Sequence, residues 1–328
     1  MDQYANFGIM QSDSSQDRLV YDCFTFFNEL DILELRLELL DSVVDRYVLV
    51  ESPVTQKGDF KELFYSNNKE RFAKFRHKII HVVYQPPLQP AKQPNWSLEN
   101  RQRDAIMRGL EACTANDIVL ISDVDEIPDP KKILFYMNRP GIKVFEQQLM
   151  YYYLNFACWT NPIWRGTRMG TYADLLEPKQ NLKPLPPFAF SARGLPTYFR
   201  FCEGTTIPQG GWHFSYCGGA AAIRRKKASI SEGYDFNDDI PESQLEKIIK
   251  KGRDIHGRDV FFKIVSLKSL PHIISEKRRY APLLLRPSFW GRIQFLFWHT
   301  CNMASFYGKK TARKLQKLPA LLSHRPHA

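Results

Sequence analysis

Residues 118–128 read Ile-Val-Leu-Ile-Ser-Asp-Val-Asp-Glu-Ile-Pro, and no other stretch limits the possible folds of the chain so sharply. Ile118–Ile121 is a short apolar run of the kind a buried strand uses. The run stops at Ser122, and Asp123, Asp125 and Glu126 follow before Pro128, which cannot donate to a strand ladder. Carboxylates crowded at the end of a buried strand repel one another and call for a cation nearby. Hard divalent ions such as Mg²⁺ or Mn²⁺ take oxygen ligands and commonly share their shell with substrate phosphates. Strand alternation would point Asp123 and Asp125 to one side while Val124 packs away, a geometry suited to an ion bridging protein and nucleotide diphosphate. A solvated strand end is the plain alternative for an isolated Asp-x-Asp. The apolar run before it and Glu-Ile-Pro after it favour the ion site.

The segments upstream repeat one pattern. Residues 18–26 predict a first strand, 28–43 a helix with a broad leucine-rich face, 45–51 a second strand ending in Glu51, and 67–75 a further helix. Residues 78–84 predict a third strand, 85–94 a proline-rich loop, and 98–113 a helix capped by Ser97. Strands alternating with helices indicate an α/β fold with a mostly parallel, Rossmann-like sheet. Ligands of such sheets bind beyond the carboxyl ends of the strands, where Glu51 and the Asp123–Glu126 cluster both fall. After Gly141 the texture becomes aromatic and extended, and residues 210–219 predict a strand framed by glycine pairs and followed by a basic helix.

The formal net charge of +11 is unevenly spread. Lys277–Ala328 holds eleven Lys and Arg and no Asp or Glu, which leaves 35 basic and 35 acidic side chains before it. A neutral body argues against a nucleic-acid groove, and a basic tail is a candidate for anionic lipid headgroups. The reading divides the chain into a disordered leader (1–17), a catalytic domain (18–276, with a nucleotide-binding half at 18–140 and an acceptor half at 141–276) and a basic amphipathic tail (277–328). Within the tail, 286–314 carries Phe289, Ile293, Leu296, Phe297, Cys301, Ala304 and Tyr307 near helical spacing between basic residues, the pattern of a helix lying in a membrane interface. A helix docked on the protein's own surface is the rival reading. The leader shows no secretory signal and no run is long enough to span a bilayer. Six cysteines without CxxC spacing read as free thiols. Together these give a cytoplasmic expectation, peripheral at a membrane if the tail binds one.

Five of these segments resemble glycosyltransferase family 17: Tyr21–Arg36, Val44–Ser52, Asn100–Asp104, Ser122–Pro128 and Gly211–Tyr216, spread over residues 20–237. The resemblance implies a GT-A type fold, a UDP-sugar donor (UDP-GlcNAc), a glycan acceptor and inversion at the anomeric carbon. The chain resembles shorter members without an N-terminal anchor helix, so the acceptor of the anchored members is not carried over.

On that basis Asp125 is the expected direct metal ligand, with Asp123 touching the ion or the donor ribose and His213 as a third contact to metal or diphosphate. Glycines beside His213 would let the backbone approach a phosphate. Arg224 and Arg225 are the expected diphosphate clamp, while Lys226 and Lys227 read as a solvated helix face. Arg103 faces either the nucleotide or a neighbouring acid, and Glu51 either uridine and ribose or a helix cap. Asp235, at an approximately corresponding acidic position of the family, is the expected general base, with Glu126 and Glu232 as competitors. Two other functions fit an acidic strand end or an aromatic segment. One is a nucleotidyltransferase, which would want a glycine-rich, lysine-containing loop after the first strand where this chain has Thr25-Phe-Phe-Asn-Glu. The other is a carbohydrate-binding protein without catalysis, using residues 150–164.

Overall fold

The computed structural model describes residues 18–86, 96–177, 194–227 and 240–322. Four parallel strands form one end of a ten-stranded sheet: β1 (Val20–Phe26), β2 (Arg46–Glu51), β3 (Ile79–Val83) and β4 (Ile118–Asp123). β1 lies between β2 and β4, with Cys23 opposite both Val48 and Ile121. Between these strands run α1 (Leu30–Leu40), the short α2 (Phe64–Asn67) with a 3₁₀ segment at Lys69–Phe75, and α3 (Trp96–Asp104) with a 3₁₀ segment at Ala105–Gly109. The parallel order expected from the sequence is therefore present from β4 to the β3 edge of the sheet. The helix expected through residue 113 is α-helical only as far as Asp104, and its continuation tightens into the 3₁₀ turn.

Beyond β4 the sheet turns mixed. β5 (Glu126–Pro128) leads into α4 (Pro130–Tyr136), and then come β6 (Lys143–Tyr151), β7 (Phe156–Cys158) and β8 (Ile163–Thr171). β8 runs antiparallel to both β4 and β6, and β7 joins the far side of β6. After α5 (Tyr172–Leu176) and α6 (Leu195–Arg200), β9 (Thr205–Ser215) pairs parallel with β6 and antiparallel with β5, setting His213 opposite Glu126. The chain finishes with α7 (Gly219–Lys227), α8 (Glu242–Lys250), β10 (Phe262–Ile264), α9 (His272–Glu276) and α10 (Phe289–Leu322).

Both faces of the parallel strands are covered, which is why they read as continuous apolar runs. Phe24, Phe26 and Leu49 pack on the leucines of α1, while Tyr21, Cys23, Val48 and Ile121 pack on Ala105, Ile106 and Leu110. A third cluster joins Tyr151, Tyr152, Phe156 and Phe262 to Ile223 of α7 and Leu245 and Ile249 of α8. All six cysteines are free.

One ion pair inside this core shapes the acidic strand end. α1 is apolar almost all round, yet it carries Arg36, which is fully buried. Its guanidinium grips Asp22 of β1 through Nε (2.7 Å) and Nη2 (2.6 Å), and Nη2 also donates to Ser122 Oγ at 2.6 Å. Nη1 donates to the carbonyls of Asp123 (3.0 Å), Val124 (3.2 Å) and Glu126 (3.0 Å). Three carbonyls turned toward one cation force the chain to turn where β4 ends. Asp125 consequently lies in the turn joining β4 to β5 and not on the strand, so strand alternation is not what directs it.

α10 settles against the body with one face and leaves another bare. Phe295 packs on Phe156, His299 and Phe306 pack on Trp159, and the amide of Asn302 donates to the carbonyl of Lys251 at 2.8 Å. The opposite face exposes Phe289 (72%), Trp290 (74%), Leu296 (67%) and Phe297 (60%) to solvent. Among the described residues no helix is long and apolar enough to cross a membrane.

Breaking a buried pair leaves its partner charged and unsatisfied. Arg36→Met is expected to destabilise the fold by about 3–5 kcal/mol in guanidinium denaturation. A loss below about 1 kcal/mol would mean that the turn is held by something else.

Candidate active site

A cavity of about 280 Å³ opens beyond the carboxyl ends of β1 and β4. Asp123, Asp125 and His213 all line it, as do Glu29, Lys61, Trp164, Tyr216 and Lys226. The two aspartates thus meet one space, Asp123 from the last position of β4 and Asp125 from the turn.

Each acid of the cluster has its own cation. Asp123 Oδ1 accepts from Arg103 Nη2 at 3.0 Å and from Thr25 Oγ1 at 3.1 Å, and no described residue donates to its Oδ2. Burial opposes its ionisation, but Arg103 and Arg200 outweigh burial and hold its pKa below the usual carboxylate value. Asp125 Oδ2 accepts from Lys226 Nζ at 2.8 Å, and its Oδ1 lies 3.5 Å from His213 Nε2. Here too burial is overcome, by Lys226 and His213, and the carboxyl is held far below its ordinary value. Glu126 is wholly enclosed: Oε1 accepts from Trp164 Nε1 and Arg200 Nη2, both at 2.5 Å, and Oε2 from the backbone N–H of Asp123 at 3.0 Å. A carboxylate so occupied braces the turn and cannot reach an acceptor hydroxyl, which removes Glu126 from the candidates for general base.

His213 is one-tenth exposed at its side chain and packs on the Trp164 ring at 4.6 Å. Its Nδ1 is buried without a partner among the described residues. The glycine beside it serves a different purpose from the one expected. Gly211 has φ of 137°, and any Cβ there would strike the carbonyl of Ile127, so the glycine lets β9 close onto β5.

Other expected positions lie elsewhere. Glu51 is fully buried and accepts from the backbone N–H groups of Tyr65 (2.9 Å) and Ser66 (3.4 Å) at the start of α2, with His81 Nε2 at 3.2 Å. It holds a helix start and does not line the cavity. Arg103 also stands behind the site, bridging Glu99 (2.8 Å) and Asp123. Arg224 and Arg225 are exposed on α7, and neither lines the cavity. Lys226 does, with 18% of its side chain exposed, bonded to both Asp125 and Glu29 (3.0 Å). The expected solvated lysine is therefore the inward one and the expected clamp is outward. Helical spacing carried that signal: Lys226 falls three residues after buried Ile223, on the same face. Asp235 and Glu232 lie outside the described residues. Arg36, Lys61 and Trp164 had no assigned role from sequence. Lys61 stands in the cavity wall with its ammonium over the Phe27 ring at 5.1 Å, and burial lowers its pKa against the pull of Glu51 and Glu29.

Two carboxylates on a tight turn, flanked by amines and aromatic rings beyond the ends of parallel strands, suit an anionic, partly apolar ligand such as a nucleotide sugar. The family model for glycosyltransferase family 17 matches residues 7–174, just over half of the chain. The chain belongs to glycosyltransferase family 17. Curated relatives include the β-1,4-mannosyl-glycoprotein 4-β-N-acetylglucosaminyltransferases of Rattus norvegicus and Homo sapiens, each 24% identical over 262 residues, 72% of this chain and 48% of the relative. The family-17 chain thus spans about half the length of the curated relatives it matches. Among solved structures, HddC from Yersinia pseudotuberculosis is similar at 13% identity and a TM-score of 0.33, over 60% of this chain and 90% of that one.

Proposed function

We propose that this glycosyltransferase moves GlcNAc from UDP-GlcNAc onto a glycan hydroxyl with inversion, assisted by Mn²⁺ or Mg²⁺. The observation that carries this reading is the placement of Asp123 and Asp125, from strand end and turn, in one cavity walled by aromatic rings and amines. Among the described residues no three His, Cys, Asp or Glu form a ready-made metal cluster. The donor chemistry nevertheless fits an ion that takes one or two carboxylates and fills its remaining positions with water and substrate phosphates. Asp123, whose Oδ2 accepts from no described residue, and Asp125 would hold that ion, with His213 beside them. Bound there, it would offset the charge developing on the departing diphosphate.

The protein's own groups do the rest. Lys61 and Lys226 supply positive charge for phosphate oxygens. Thr25, Phe26 and Phe27, where β1 ends, form the nucleotide side of the cavity, and Trp164 and Tyr216 form the wall available to a sugar ring. Inversion needs a carboxylate that takes the acceptor proton opposite the diphosphate. Asp235, which follows Lys226 closely in the chain, is our candidate. UDP released from UDP-GlcNAc in the presence of Mn²⁺ should exceed the enzyme-free rate. Asp123→Asn, which keeps shape and removes charge, should lower that turnover by about 10²-fold or more without lowering Tm greatly. Undiminished turnover in the variant would refute the assignment.

The bare face of α10 favours an acceptor presented at an anionic membrane. Phe289, Trp290, Leu296 and Phe297 are exposed together, and Arg286 and Arg292 border an apolar groove of about 550 Å³ that Ile264, Leu284, Phe295 and Leu296 help to line. Rings at headgroup depth with cations beside them are what an interfacial helix offers. The full chain should pellet with vesicles containing phosphatidylglycerol and stay in solution with neutral ones, and Trp290→Ser with Phe297→Ser should abolish pelleting. Equal pelleting of the double variant would end the membrane reading.

A further inference from the structure

In the free protein Lys226 is not turned to a phosphate but paired with the carboxylate that the donor-binding reading gives to the ion. Its ammonium is bonded to Asp125 Oδ2 at 2.8 Å and to Glu29 Oε1 at 3.0 Å, over the ring of Tyr216 at 5.6 Å. Asp125 is the carboxylate assigned to the ion, yet a cation of the chain already neutralises it. Asp123 is paired as well, with Arg103 and Thr25 on Oδ1, and no described residue donates to its Oδ2. An ammonium and a divalent ion would compete for Asp125, whose Oδ2 the lysine holds and whose Oδ1 lies 3.5 Å from His213 Nε2. Placed about 4 Å apart in a partly buried site, they would also repel by several kcal/mol.

The two cations can coexist once a diphosphate arrives. It brings acceptor oxygens and negative charge to the cavity mouth, and a lysine, on its flexible four-carbon stem with three rotatable donors, can move to them.

We propose that Lys226 is an exchange residue: it guards Asp125 in the free protein, yields it to the divalent ion when a nucleotide diphosphate enters, and then bonds to that diphosphate. The exchange rests on the donor-and-metal reading above and adds an order to it. The ion alone binds poorly, and ion and nucleotide bind cooperatively, each raising the affinity of the other by the same factor. A purely structural lysine, tying α7 to the acidic turn, would give no such coupling.

The test compares the full chain with Lys226→Met and Lys226→Arg, using calorimetric titration and Tm. In the wild type, Mn²⁺ alone should shift Tm little, and Mn²⁺ with UDP should shift it strongly. Lys226→Met should melt lower without ligand, gain more from Mn²⁺ alone, and bind Mn²⁺ about tenfold more tightly while binding UDP with Mn²⁺ about tenfold more weakly. Lys226→Arg should keep the wild-type pattern. If Lys226→Met does not fold, Lys226→Gln gives the same readout with an uncharged donor to Asp125. Metal affinity unchanged or weakened in the uncharged variant overturns the exchange while leaving the donor reading intact. No UDP binding by the wild type with Mn²⁺ overturns both.

Discussion

A buried guanidinium and the five oxygens it holds besides the second of Asp22 determine where the acids of this protein point. Arg36 comes from α1, its salt-bridge partner from β1, and its carbonyl acceptors from the end of β4 and the turn after it. The ion pair therefore joins the first strand, the first helix and the acidic turn in one place. Placing a charge among Leu33, Leu35 and Leu37 costs desolvation energy, and only a full set of acceptors offsets that cost. The chain supplies that set by curling three backbone carbonyls inward. The same curl sends the side chain of Asp125 outward to the cavity and delivers β5 to its antiparallel partner β9, which carries His213.

The acids themselves are balanced one by one. Arg103 of α3 serves Asp123, Lys226 of α7 serves Asp125, and Arg200 of α6 serves Glu126. Three carboxylates within four residues are thus tolerated, because Arg103 and Arg200 outweigh the repulsion that Asp125 exerts on Asp123. The three cations differ in what they permit. The arginines on Asp123 and Glu126 are nearly enclosed, at 4% and 9% side-chain exposure, and act as fixed braces. The lysine on Asp125 keeps 18% exposure at the cavity edge. Enclosed arginines behind the site and a partly exposed lysine at its mouth thus stand on neighbouring acids.

The parallel strands and the acidic cluster were legible from sequence because burial on both faces leaves an unmistakable apolar run, and because carboxylates seldom follow one. Expected and observed limits of β1 to β4 differ by at most two residues at either end. The site was legible where local pattern determines geometry and opaque where a distant partner does. Glu51 and Glu126 both stand at strand ends, as ligand-binding acids do, but the N-terminus of α2 claims one, and Trp164 and Arg200 claim the other. Neither partner is near in sequence. Asp125 reached the expected cavity for an unexpected reason, since a carbonyl clamp supplied by Arg36 bends the chain there. The error at Arg224–Lys226 was of another kind, because the buried face of α7 was readable from Ile223 and charge was given more weight than helical phase. α10 docks on the body through Phe295, His299 and Asn302, as one of the two readings of its pattern expects, and leaves Phe289, Trp290 and Phe297 bare.

The most direct measurement is a crystal structure of the chain with UDP-GlcNAc and Mn²⁺. We expect the diphosphate beside the acidic turn, the ion on Asp123 and Asp125, and the contacts of Arg36 to Asp22 and the turn carbonyls unchanged. Nucleotide bound away from that turn, or a turn that opens and releases Arg36, would contradict the proposed origin of the site.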